Sequence, residues 1–124
     1  MRRRGVRGFT LIEVLVALAV VAVALLAAVR ASGSMAQTNA EVRLRLLAQL
    51  SADNRIAELR AAGAFPPIGV RSAACPQGTA KLECVEEVKS TPNPLFRRVE
   101  VRVYGAGERE HVLAELIGIL AQRR

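Results

Sequence analysis

Gly8-Phe9-Thr10-Leu11-Ile12-Glu13-Val14 stands directly behind Arg2-Arg3-Arg4 and Arg7 and opens an apolar run that reaches Val29. From Phe9 to Val29 the run is 21 residues. As a helix it spans about 31 Å at about 1.5 Å per residue, which matches a hydrocarbon core of about 30 Å. The arginines ahead of it predict a cytoplasmic N-terminus by the positive-inside rule, with the rest of the chain on the far side of the membrane. Glu13 is out of place in such a span. A carboxylate there costs about 2.5–3.5 kcal/mol near the bilayer centre and less toward its edge, so something must satisfy it.

Every position from Gly8 to Val14 resembles the N-terminus of the type IV pilin and type II secretion pseudopilin superfamily. The resemblance implies that a prepilin peptidase cuts after Gly8, that Phe9 becomes the N-methylated first residue, and that Glu13 pairs with an N-terminal amine in the assembling filament. The alternative for Glu13 is a residue read at cleavage with no later partner. Two other readings of the N-terminus remain. Val29-Arg30-Ala31 before Ser32 has the small-x-small look of a signal peptidase site, but the long apolar run and Glu13 stand against a secretory signal. A plain membrane anchor explains the span and the arginines but not the glutamate.

The 18 Lys and Arg residues against 11 Asp and Glu give a net charge of +7. Four of the arginines precede Phe9, so a chain beginning there has 14 against 11, or +3. The basic balance is therefore partly a topology signal. With aromatic residues at 3% of the chain there is no stacking platform for single strands. In the head, Arg97, Arg98 and Arg102 form the only local basic cluster and are interleaved with Glu100, so no nucleic-acid partner is expected.

Beyond Val29 the chain reads as continuing helix to about Ala62. No proline occurs between Met1 and Phe65. Val42, Leu46 and Leu50 recur at four-residue spacing, with Leu47, Ile56 and Leu59 widening the stripe. Such a stripe packs on its own domain, on a neighbouring subunit, or on both. Ser32-Gly33-Ser34 is a soft point, since glycine weakens a helix by about 1 kcal/mol. Gly63 is a C-terminal stop, and Phe65-Pro66-Pro67 cannot continue a helix.

The remaining segment, 63–124, is a small head. Pro66-Pro67, Gly69 and Cys75-Pro76-Gln77-Gly78 mark loops. Val85 to Lys89 is a short strand candidate, and Thr91-Pro92-Asn93-Pro94 is a turn. Arg97 to Tyr104 alternates strictly, with Val99, Val101 and Val103 on one side. Residues 105–110 read as a hairpin loop, and His111 to Leu120 as a strand on the far side of it. The predicted fold class is α+β: a long N-terminal helix, transmembrane in its first half and amphipathic in its second, packed on a small antiparallel sheet. The domain boundaries are a leader over 1–8, a membrane segment over 9–29, the amphipathic continuation over 30–62 and the head over 63–124.

Cys75 and Cys84 fall in the segment expected outside the cytoplasm. An even count in an oxidising compartment favours a disulfide, worth about 2.7 kcal/mol for a loop of this length in the chain-entropy model. Two free thiols are the alternative. His111 is the only histidine, so a zinc site lacks a convincing ligand set, and no metal or other cofactor is expected.

An enzymatic role fails on inventory. No glycine-rich phosphate loop follows a strand, and Glu86, Glu87, Glu108 and Glu110 read as solvated charges. No clustered oxygen ligands suit calcium, and no small-molecule ligand is expected.

Within the superfamily the chain resembles the minor pseudopilin I branch of type II secretion, through residues 53–60 (Asp53-Asn54-Arg55-Ile56-Ala57-Glu58-Leu59-Arg60), 65–69 (Phe65-Pro66-Pro67-Ile68-Gly69), Thr91-Pro92-Asn93-Pro94 and Arg97 to Val103. Phe65 stands where that branch commonly has tryptophan. The resemblance implies a structural subunit at the tip of the pseudopilus, in contact with minor pseudopilins J and K and with the major pseudopilin, priming assembly and aiding export of folded proteins across the outer membrane. It implies a single-pass protein of the bacterial inner membrane with a periplasmic head. The alternative function is a minor pilin of a type IV pilus or DNA-uptake apparatus.

Overall fold

The computed structural model describes Gly5 and residues 8–123. The leader arginines Arg2, Arg3, Arg4 and Arg7 lie outside the described residues. One helix, α1, runs Leu11–Ala61, followed by strands β1 (Gly69–Ala74), β2 (Leu82–Ser90), β3 (Phe96–Gly105) and β4 (Ala114–Ala121). The chain divides into two compact units, Met1–Asn39 and Ala40–Arg124.

In the first unit Thr10 caps α1. Its hydroxyl accepts the Glu13 N–H at 3.3 Å, which satisfies an amide donor that a helix start otherwise leaves open, and its carbonyl accepts the Val14 N–H at 3.2 Å as the first bond of the helix ladder. The helix continues through Ser32-Gly33-Ser34, the expected soft point. Ser32 and Thr38 hydroxyls turn back onto the carbonyls of Ala28 and Ser34, at 3.0 and 2.9 Å. Every described side chain from Phe9 to Asn39 is exposed.

In the second unit the C-terminal part of α1 packs on the sheet. The strands form an antiparallel meander in the order β1-β2-β3-β4, the antiparallel sheet expected. Ala48, Ser51, Ala52, Ile56 and Leu59 are the buried helix residues. They recur three and four positions apart, which places them on one face. Opposite them lie Leu82, Cys84 and Val88 of β2, Val99, Val101 and Val103 of β3, and Ala114 and Leu120 of β4, all buried. The small side chains bring the helix close to the sheet. A Cβ added to Gly118 would stand 3.0 Å from both Cδ1 and Cγ2 of Ile56. Leu47 is half-buried, whereas Val42, Leu46 and Leu50 are exposed.

Gly63 ends the helix as expected. It has a φ of +62°, a left-handed conformation that glycine adopts without a Cβ penalty. The Ala64 N–H reaches back to Leu59 O at 2.9 Å and the Gly63 N–H to Arg60 O at 3.1 Å, the paired bonds of a Schellman end. Phe65 then lies under Arg97, whose guanidinium carbon is 4.1 Å from the ring centroid, and Arg97 also donates to Pro66 O. The contact ties the helix exit to β3.

Where the sequence around Gly69 predicts a loop, the chain forms strand β1. All six of its residues are exposed. It is held by its register with β2, Gly69 opposite Val88 through Ala74 opposite Glu83, and not by burying an alternating face.

Candidate functional site

The N-terminal site is built on the first turns of α1. Gly8 and Phe9 precede the helix, are exposed, and no neighbouring atom lies within 4 Å of where a Gly8 Cβ would stand. The Gly8–Phe9 peptide bond is therefore uncovered in the isolated chain. Thr10 holds the Glu13 backbone as described above, which puts the carboxylate in the first helical turn, where the positive end of the helix dipole favours an anion. Around Glu13 the surface is apolar, lined by Phe9, Val14, Ala17, Leu18 and Val21. From Leu11 to Val29 the side chains of an isolated chain are bare: Leu11 is 79% exposed and Val29 69%. So large an apolar surface needs covering, and α1 is long and apolar enough to cross a membrane. A single carboxylate on that surface can accept a cation brought by whatever covers it.

The head presents charge in a different way. Glu86 and Glu100, expected to be solvated or simply interleaved, are 4% and 5% exposed. Glu86 faces the helix, paired with Arg55 of α1 and, at 3.6 Å, with Arg71 of β1. Arg55 also meets Glu58 at 3.1 Å, and the Glu86 hydrogen bond pushes the Arg55 guanidinium pKa up. On the outer face Glu100 lies opposite Glu87 of β2, a like-charge pair that alone destabilises a sheet. Three cations neutralise it. Arg98 stands 3.0 Å, Arg102 3.1 Å and Lys89 3.3 Å from Glu100, while Arg102 and Lys89 also reach Glu87 at 3.6 and 3.7 Å. The Lys89 hydrogen bond, followed by the three positive charges, holds the Glu100 carboxyl below the usual carboxylate range. The three-arginine cluster of the sequence is thus divided: Arg97 stacks on Phe65, while Arg98 and Arg102 serve Glu100.

Cys75 and Cys84 form a disulfide, with Cα atoms 5.7 Å apart. It closes the β1–β2 loop against the helix, where the Ser51 hydroxyl donates to Cys75 O at 2.6 Å. Cys84 is buried in the core.

Of the residues singled out from the sequence, Gly8, Phe9 and Glu13 fall together at the start of α1. Cys75 and Cys84 join, and Ile56 enters the core of the head. Val42, Leu46 and Leu50 form an exposed line on α1 at 50%, 61% and 50%, with Leu47 beside it. The helix face that packs on the sheet gives a weak sequence signal because its members at 48, 51 and 52 are small. Their spacing with Ile56 and Leu59 was the available signal.

Comparison with known proteins covers both ends of the chain. Residues 3–29 match the prokaryotic N-terminal methylation motif, and residues 42–121 match the family described as type II secretion system (T2SS), protein I. A type II secretion system protein I from Pseudomonas aeruginosa is 34% identical, over 94% of this chain and 96% of its own length. With the apolar helix, its Glu13 and the antiparallel head in place, these matches identify the family: the chain belongs to type II secretion system protein I.

Proposed function

We propose that this protein is a minor pseudopilin of the type II secretion system, a structural subunit of the complex at the pseudopilus tip. Prepilin peptidase removes residues 1–8 by cutting after Gly8, and Phe9 is methylated on its new amine. The helix over 9–29 anchors the chain in the inner membrane, residues 30–62 continue it, and the head over 63–124 stands in the periplasm. There it joins minor pseudopilins J and K and starts a filament of the major pseudopilin that helps move folded proteins through the outer membrane. No catalysis is assigned to it.

The observation that carries this reading is Glu13 on an otherwise apolar, exposed helix surface. In lipid alone that carboxylate is a net cost. Beside the amine of a neighbouring subunit's first residue it becomes half of an ion pair, and many helices side by side share the apolar surface. The line Val42, Leu46, Leu50, exposed on the isolated chain, is the surface we assign to neighbouring helices.

Processing tests the reading directly. The wild-type chain from its native host should have a mass lower by the leader and higher by one methyl group. Gly8→Ala should retain the leader and carry no methyl. Normal maturation of Gly8→Ala refutes the assignment.

A further inference from the structure

We propose that β4 is a docking edge that takes up an extended, acidic strand from a different protein. β4 ends the sheet and pairs only with β3. The Gln122 N–H donates to Leu95 O at 2.8 Å, in the same register as the β3–β4 ladder. By the alternation of an antiparallel ladder, the even residues of β4 face β3, and Glu115, Ile117, Ile119 and Ala121 turn N–H and C=O outward. A strand laid alongside is the ligand that satisfies such a row.

The two edges of the sheet are not alike. β1 is six residues long, carries Arg71, and lies between Pro66-Pro67 and Pro76. Shortness, charge and flanking prolines are devices that keep an edge from pairing. β4 reads Ala-Glu-Leu-Ile-Gly-Ile-Leu-Ala, with one charge and no proline, and its Ile117 and Ile119 are 49% and 48% exposed. That composition favours pairing.

Charge selects the partner. Arg60 and Arg123 enter no ion pair among the described residues. With Leu59, Ala64, Ile119 and Leu120 they line a groove of about 240 Å³ between the end of α1 and the end of β4. Arg60 Nη2 lies 3.6 Å from where a Cβ on Gly118 would stand, so the guanidinium overhangs the middle of β4 on its helix-facing side. Arg60 sits in the last turn of α1, where its charge complements the helix dipole, yet its donors have no acceptor on the described residues. An incoming strand sends alternate side chains to that side. An acidic one there meets two guanidiniums, while apolar β-branched residues on its other side cover Ile117 and Ile119.

A second copy of this chain does not supply the acid. The helix-facing residues of its own edge strands are Gly69, Arg71 and Ala73 in β1, and Ala114, Leu116, Gly118 and Leu120 in β4. None is acidic, and Arg71 would face Arg60. The surface belongs to the head alone and holds whether or not the chain joins a tip complex.

The test uses the full mature chain, labelled with nitrogen-15 in detergent micelles, and a blocked heptapeptide, Val-Thr-Val-Glu-Val-Thr-Val. The counterpart has Lys in place of the central Glu. The acidic peptide should shift the amides of Ile117, Ile119 and Ala121 and slow their exchange, and should bind about tenfold more tightly than the lysine peptide, as charge-assisted hydrogen bonds warrant. Arg60→Glu should reverse that preference, and so should Arg123→Glu. Ile119→Pro removes one outward donor without touching the β3 ladder, and should abolish binding while thermal stability persists. Shifts confined to other amides at saturating peptide, equal binding of the two peptides, or self-association of the chain through β4 would each overturn the proposal.

Discussion

Replacing Gly118 with alanine probes how closely the helix lies on the sheet. Gly118 is buried on β4, and its φ is not among the positive values of this chain, so the backbone itself accepts alanine. In the unfolded chain the substitution helps, by about 0.4–1 kcal/mol from lost conformational freedom. The folded state sets the sign. The new Cβ would stand 3.0 Å from two different carbons of Ile56, well inside a normal carbon–carbon contact of about 3.5–4.0 Å. Rotating Ile56 does not relieve both contacts, because a β-branched side chain in a helix keeps one strongly preferred χ1 rotamer, and Ile56 is itself 3% exposed. Overpacking of this kind costs about 1–3 kcal/mol, leaving a net destabilisation of about 1.3 kcal/mol at the middle of the two ranges. For a head of this size that lowers Tm by roughly 5–10 °C. Circular dichroism melting of residues 31–124, wild type against Gly118→Ala, measures it. Ile56→Val, which removes one clashing carbon, should cost less in the Gly118→Ala background than in the wild type, a coupling that a double-mutant cycle reads directly. A Gly118→Ala head that melts at or above the wild-type temperature refutes the close packing of α1 on β4.

Two further outcomes follow from the head. Reducing the Cys75–Cys84 bridge, nine positions apart in sequence, should destabilise it by about 2.7 kcal/mol in the chain-entropy model, and Cys75→Ser should match the reduced protein in urea unfolding; identical oxidised and reduced curves would contradict this. Because the folded Glu100 carboxyl titrates below its value in the unfolded chain, its contribution is fully present above the unfolded pKa and is lost as pH falls through the folded one. The melting temperature should drop on acidification below about pH 5, and Glu100→Gln should blunt that drop, so superimposable acid profiles would argue against the Lys89, Arg98 and Arg102 cover.

Where residues act on near neighbours in sequence, the fold was legible. The helix from the apolar run to Gly63 and the strict alternation of Arg97 to Tyr104 are local patterns, and α1 and β3 follow them closely. Over His111 to Leu120 periodicity alone fits helix or strand, and the place after a glycine-bearing loop favours strand; β4 runs Ala114–Ala121. What escaped depends on distant partners. β1 is an edge strand with no buried face, so its signal is its register with β2. Glu86 is buried because Arg55, 31 positions earlier, and Arg71 supply charge from other elements. Glu100 needs Lys89 across the ladder and Arg98 and Arg102 beside it. The packing face of α1 carries small residues and a weak hydrophobic signal, while the larger Val42, Leu46 and Leu50 make a stronger stripe that the isolated chain leaves exposed.

The N-terminal site is the opposite case. Gly8, Phe9 and Glu13 lie within six consecutive positions, and the match to the methylation motif covers them. In the proposed function Glu13 is satisfied only by a second subunit, so the proposal stands or falls on assembly. The measurement that tests it is affinity purification of the full-length chain from detergent-solubilised membranes of its native host, with mass spectrometry of what comes with it. Minor pseudopilins J and K should co-purify with the wild type. Recovery of type IV pilus subunits in their place, with J and K absent, would contradict the proposal.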